Sequence, residues 1–163
     1  MHRLLWLSIA VVGLDQLTKW AALEHLADRM PVAVTPFLNL TLVYNRGAAF
    51  GFLSDAGGWQ NLFFIVVAVV ASGVIAYLLI RRPPDNRLVG IGLALILGGA
   101  VGNLIDRLFH GHVVDFIDVY YREWHWPAFN VADSAITIGA ALLVLDALGV
   151  RFPRRGAVTE GRQ

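Results

Sequence analysis

Four apolar runs, each long enough to cross a bilayer as a helix, dominate this chain and leave little room for any other architecture. A hydrocarbon core of roughly 30 Å is spanned by about 20 helical residues, with about 17 as a minimum. Leu4 to Leu23, Asn61 to Ile80, Leu88 to Ile105 and Ser134 to Val150 meet that length. The second and third hold no charged residue, the first holds only Asp15 and Lys19, and the fourth only Asp146. A composition 57% hydrophobic and 15% charged argues against a water-soluble globule.

The cations decide orientation. His2 and Arg3 precede the first span, Arg81, Arg82 and Arg87 fill the short second connection, and Arg151, Arg154 and Arg155 follow the fourth. All three clusters fall on one side, which the positive-inside rule makes cytoplasmic. The other connections, residues 24–60 and 106–133, then lie outside and hold most of the remaining polar chemistry. The chain reads as one domain, 1–150, followed by an Arg- and Gly-rich tail, 151–163, expected to be a disordered cytoplasmic end. The alternative that the first span is a cleaved signal peptide lacks a small-x-small cleavage site and would leave Asp15 and Lys19 without purpose.

Several function classes drop out. A net charge of +1 with cations at the ends of apolar runs does not suit a nucleic-acid binder. The absence of cysteine excludes a disulfide scaffold, a thiolate metal site and a cysteine nucleophile. No H-E-x-x-H, G-x-S-x-G or G-x-x-x-x-G-K-[ST] pattern is present, so zinc hydrolysis, a serine elbow and nucleotide hydrolysis have no support.

An ionisable group inside a span costs about 2.5 kcal/mol or more, so it faces a protein interior and finds a partner. Asp15 and Lys19 stand four residues apart, on one helix face. They are either a self-contained ion pair or a device that positions a substrate. In the third span, Gly98 and Gly102 give the small-xxx-small spacing of close helix contacts, while Asn103 and Arg107 share a face at the outer boundary. Arg107 either snorkels to the interface or binds carbonyl and carboxylate groups. Residues 31–53 have strand-like character broken by Pro31, Pro36, Gly47 and Gly51, as expected of a short sheet on the membrane surface. Tyr120, Tyr121, Trp124 and Trp126, with Trp20 and Trp59, fit an interfacial aromatic belt.

Three carboxylates, Asp115, Asp118 and Asp133, stand in apolar surroundings on the outer side. Two carboxylates brought together where water is scarce cannot both ionise, so they share a proton; one can then activate water while the other donates to a carbonyl oxygen. The alternative is that Asp133 caps the fourth helix and Asp115 is a loop residue.

Taken together these segments resemble the lipoprotein signal peptidase (signal peptidase II) family. The motifs are Asp15-Gln16-Leu17-Thr18-Lys19, Asn45-Arg46-Gly47-Ala48-Ala49-Phe50-Gly51, Gly99-Ala100-Val101-Gly102-Asn103-Leu104-Ile105-Asp106-Arg107, Val113-Val114-Asp115-Phe116 and Phe129-Asn130-Val131-Ala132-Asp133. The resemblance implies an all-α membrane protein with four transmembrane helices, a small β-sheet cradle and a short helix in the first outer connection. It implies a bacterial inner-membrane aspartyl endopeptidase that cleaves lipid-modified prolipoproteins before the diacylglyceryl-cysteine. The catalytic pair falls on Asp115 and Asp133, 18 residues apart, with Asp118 in a supporting role. Asp15, Lys19, Asn45, Gly47, Asn103, Arg107, Asn130 and Ala132 are expected to line the substrate site. No metal or organic cofactor is expected, and the partners are prolipoproteins and membrane lipids, handled by a monomer. A small transporter relaying protons through Asp15, Lys19, Asp106 and Arg107, or a non-enzymatic scaffold, are the competing readings, and neither gives a reason for two outer aspartates.

Overall fold

A computed structural model describes residues 2–27, 30–47, 59–82, 84 and 86–150. The elements run α1 (His2–Leu26), β1 (Val32–Thr35), β2 (Leu38–Asn45), α2 (Trp59–Arg81), α3 (Arg87–His110), β3 (Val113–Tyr121), β4 (Trp124–His125) and α4 (Val131–Ala147). Each expected span falls on one helix. The fourth starts earlier than its apolar run because Asn130 caps it, accepting from the Asp133 N–H, while the Asp133 side chain accepts from the Asn130 N–H. The short helix expected in the first outer connection has no counterpart among the described residues; 48–58 and the tail from Arg151 lie outside them.

Two helices, α2 and α3, are long and apolar enough on length and composition to cross a membrane. α1 carries Asp15, Gln16 and Lys19, and α4 has 17 residues. Burial runs opposite to that of a water-soluble protein. Leu62, Phe63, Val66, Val67, Val70 and Val74 of α2 are exposed, whereas Asp15, Lys19, Asn103, Asp106, Asp115 and Asn130 are buried. An apolar exterior of this extent marks a surface that meets lipid.

The bundle packs on α3, whose buried face is mostly small residues, Gly90, Gly92, Ala94, Gly98, Gly99 and Gly102, joined by Leu97, Asn103 and Asp106. At Gly99 a Cβ would collide with the Ala132 carbonyl oxygen of α4, and at Gly102 it would lie 2.6 Å from Asp15 Oδ2 of α1. Only glycine admits both neighbours at these distances. Ser8 Oγ of α1 donates to Ala94 O across the same seam at 2.8 Å. At the other end Asn86, the cap of α3, donates from Nδ2 to Asp146, which gives the one charge in the apolar run Ser134 to Val150 its partner.

The connections 24–60 and 106–133 contribute one antiparallel sheet in the order β1-β2-β3-β4. Pro31 precedes β1, and Pro36 lies in the turn to β2, where a missing N–H costs no ladder bond. β3 and β4 come from the second connection, where the residue pattern alone does not disclose a strand. Gly111 ends α3 with φ of +74°, and its N–H bonds Arg107 O, so the chain turns directly from the helix into β3. Val113 to Phe116 are buried against the helices, which brings Asp115 beneath the sheet and over the ends of α3 and α4.

The tight seam predicts that Gly99→Val destabilises the protein by about 1 to 3 kcal/mol through overpacking. Gly13→Ala, where a Cβ meets no described atom within 4 Å, should be neutral or stabilising by up to about 1 kcal/mol. Thermal unfolding in detergent reads both.

Candidate active site

Three asparagine amides organise the end of the bundle that meets the sheet, and each has its oxygen occupied so that its NH₂ faces an aspartate. Asn45, at the end of β2, accepts the Gly47 N–H at 2.8 Å, and its Nδ2 donates to Asp115 Oδ2 at 3.1 Å. Gly47 adopts φ of +105°, and a Cβ there would lie 2.8 Å from the Phe64 ring, so the turn that aims Asn45 requires glycine. Asn130 accepts the Asp133 N–H at 2.9 Å, and its Nδ2 donates to Asp115 Oδ1 at 2.7 Å. Asn103 accepts from Lys19 Nζ at 2.9 Å and donates through Nδ2 to Asp133 Oδ1 at 2.8 Å. With one acceptor oxygen and two donor hydrogens per amide, fixing the oxygen fixes where the donors point.

Asp115 and Asp133 therefore meet at Asn130, which donates its side chain to the first and its backbone N–H to the second at 3.3 Å. Asp115 is 1% exposed. Burial pushes its carboxyl up from the ordinary 3.8 to about 7; the charge of Asp133 adds to this, while the Asn45 and Asn130 hydrogen bonds and the Lys19 charge oppose it. Near neutral pH this side chain is divided between acid and carboxylate. The pair can thus hold one acid and one base side by side, the requirement for proton transfer in both directions.

The remaining candidates lie around or beneath the pair. Lys19, 2% exposed, forms ion pairs with Asp15 at 2.8 Å and with Asp106 at 2.9 Å. Asp15 Oδ1 accepts the Ala132 N–H at 2.8 Å, and Asp106 Oδ2 accepts the Val114 N–H at 3.0 Å. Arg107 is half-buried, with its guanidinium carbon 5.1 Å from the centre of the Phe64 ring and Nη1 on the Asn103 carbonyl at 3.4 Å. Among the described residues its Nε has no hydrogen-bond partner. Asp118 stands apart from the pair: it accepts from Asn39 Nδ2 at 3.0 Å and contacts His125 Nδ1 at 2.8 Å, tying β2, β3 and β4 together.

Two further participants, Asp106 and Gln16, are not marked as site residues by the sequence alone, although both sit in the quoted motifs. Gln16 Nε2 bonds Asp106 Oδ1 at 2.9 Å and Gly102 O at 3.2 Å. The available signal is an acidic residue at the end of an otherwise charge-free span, which needs a buried cation nearby.

The family model for signal peptidase (SPase) II matches residues 7–149. A lipoprotein signal peptidase of Burkholderia mallei is 58% identical over 144 residues, covering 88% of this chain and 86% of that protein. A lipoprotein signal peptidase of Acinetobacter baumannii is 55% identical over 147 residues, covering 89% and 84%. Among solved structures, a bacterial membrane enzyme determined by the in meso method at 1.9 Å resolution superposes with a TM-score of 0.79 at 33% identity, covering 93% of this chain and 96% of the other.

Because Asn130 both caps α4 and donates to Asp115, Asn130→Ala should cost about 1 to 2 kcal/mol of stability. Asn130→Ser keeps a capping oxygen but cannot reach Asp115, so it should fall between the native protein and the Ala variant. Denaturation in detergent ranks the three.

Proposed function

The chain belongs to the signal peptidase II family, and from that premise we propose that it is an aspartyl endopeptidase whose acid and base are Asp115 and Asp133. The protein is a protease that removes signal peptides from prolipoproteins, and it is a bacterial inner-membrane protein. The observation that supports the aspartic mechanism best is the joining of two carboxylates through Asn130, one of them held up to about 7 by burial and by the other's charge.

A water held between the pair loses a proton to the ionised aspartate as it attacks the scissile carbonyl, and the protonated aspartate donates to the carbonyl oxygen. The proton taken from water then passes to the leaving amine as the tetrahedral intermediate collapses, and the hydroxyl proton returns to the other aspartate, which restores the pair. The two side chains titrate as a unit, so the roles exchange within one turnover. Asn45, Gly47 and Arg107 line the approach to the pair and contact the extended substrate, Arg107 with donors suited to peptide carbonyls. Asp15, Lys19, Asn103, Asn130 and Ala132 form the floor of the same site. One chain supplies both aspartates, so a monomer suffices.

In this reading all four helices span the membrane, with both termini cytoplasmic and the aspartates at the outer face. The arginines around Arg81 and Arg87 at one end of α2 and α3 support that orientation. Exposed Trp20, Trp59, Tyr121, Trp124 and Trp126 at the other end fit an outer aromatic belt. The substrate enters from the bilayer with its diacylglyceryl chains against the apolar helix faces, and the bond before the lipidated cysteine reaches the pair.

Asp115→Asn and Asp133→Asn should each lower processing of a lipidated precursor by about 10² to 10⁴-fold while the protein stays folded; native rates in either would remove that residue from the mechanism. An unlipidated precursor should be cut poorly by the native protein. The shared proton is retained below about 7 and lost above it, so kcat/KM should decline as pH rises through about 7.

A further inference from the structure

Lys19 commits all three of its donors inside the protein. Its Nζ lies 2.8 Å from Asp15 Oδ2, 2.9 Å from Asp106 Oδ2 and 2.9 Å from Asn103 Oδ1. An ammonium has three hydrogens and no acceptor, so nothing is left to reach a substrate. What each of its three partners does next is the informative part. Asp106 holds the N–H of Val114, the residue before Asp115. Asp15 holds the N–H of Ala132, the residue before Asp133. Asn103, its oxygen taken by Lys19, turns its NH₂ onto Asp133.

Resting on the aspartyl peptidase reading above, we propose that Lys19 is a positioning residue that sets the mutual placement of Asp115 and Asp133 by gripping, from one point on α1, a carboxylate behind each of them and the amide beside the second. The pair comes from two separate elements, strand β3 and the first turn of α4. Their peptide planes hang on Asp106 and Asp15, which are 1% and 0% exposed. Two such carboxylates repel each other, and the ammonium between them, assisted by Gln16 Nε2 at 3.3 Å from Asp15 and 2.9 Å from Asp106, turns that repulsion into a clamp. Gly102 leaves the space, since a Cβ there would lie 2.6 Å from Asp15 Oδ2. The charged groups facing the pair are Asp15 and Lys19 from α1 and Asp106 and Arg107 from α3, with the uncharged amides of Asn45, Asn103 and Asn130 between them.

The test compares Lys19→Met, Lys19→Arg and the double variant Lys19→Met with Asp15→Asn in detergent-solubilised full-length protein, with a lipidated precursor. The double variant gives the Lys19, Asp15 and Asp106 cluster the same formal charge as in the native protein, now carried by Asp106 alone with Gln16 still donating to it, and the amide introduced by Asp15→Asn retains an oxygen for the Ala132 N–H, so it guards against misfolding of the single Met variant. Turnover should fall roughly 100-fold in the Met and double variants with KM changed no more than a few-fold, as expected of misplaced catalytic groups. In Lys19→Met the pH limb of kcat/KM should also move to higher pH, because a cation near the pair is gone; in Lys19→Arg, which keeps the charge but not the tetrahedral geometry, turnover should fall with the limb unmoved. Native turnover in a folded Lys19→Met or double variant overturns the proposal, as does an equal loss in KM alone. Full activity in Asp115→Asn and Asp133→Asn would instead overturn the aspartyl mechanism itself.

Discussion

The side-chain amide of Asn130 and its own backbone N–H reach the two aspartates from a single residue, and the sheet end of the bundle is arranged around that fact. The residue can serve both because it is a helix cap. Its oxygen is committed to the Asp133 N–H at 2.9 Å, which leaves the NH₂ to point at Asp115 at 2.7 Å. A cap ordinarily does no more than satisfy an orphan donor at the helix end. Here the same bond also sets the distance between two separate elements of the fold. Asn130 is fully buried, so each of these groups finds its partners within the protein rather than in water.

Burial is what gives the pair its chemistry, and the apolar exterior is what makes the burial possible. α3 can run through the centre of the bundle because six of its nine buried residues are glycine or alanine, which lets α1 and α4 approach until their backbones and carboxylates touch it. Asp15, Lys19 and Asp106 would be costly in such surroundings as isolated charges, and each is instead saturated with charge-assisted hydrogen bonds. Asp115 has two neutral amide donors, which do not cancel burial and the neighbouring charge of Asp133, and its carboxyl is pushed up to about 7.

Much of the architecture can be read from residue patterns. The four apolar runs overlap the four helices, and the broken strand pattern after Pro31 falls on β1 and β2, while the cap of α4 is Asn130, with Asp133 as its capping-box partner. The second half of the sheet is not legible, because Val113 to Phe116 is a short buried segment, apolar apart from Asp115, whose period does not separate strand from helix. At the site, the residue types are legible and their wiring is not. The i,i+4 spacing of Asp15 and Lys19 discloses an ion pair, but the spacing gives no sign that Lys19 also reaches Asp106 and Asn103 on another helix. Asp118 looks like Asp115 in the sequence, and only the pairing with Asn39 and His125 separates a carboxylate that ties strands from one that faces its counterpart.

The most direct test of the account is a carboxyl carbon-13 NMR titration of Asp115 and Asp133 in the native protein, assigned with the two Asn variants. The account predicts that the two signals move together, in two coupled steps, with the upper step near pH of about 7. Two independent transitions, each near the ordinary carboxylate value of 3.8, would contradict it.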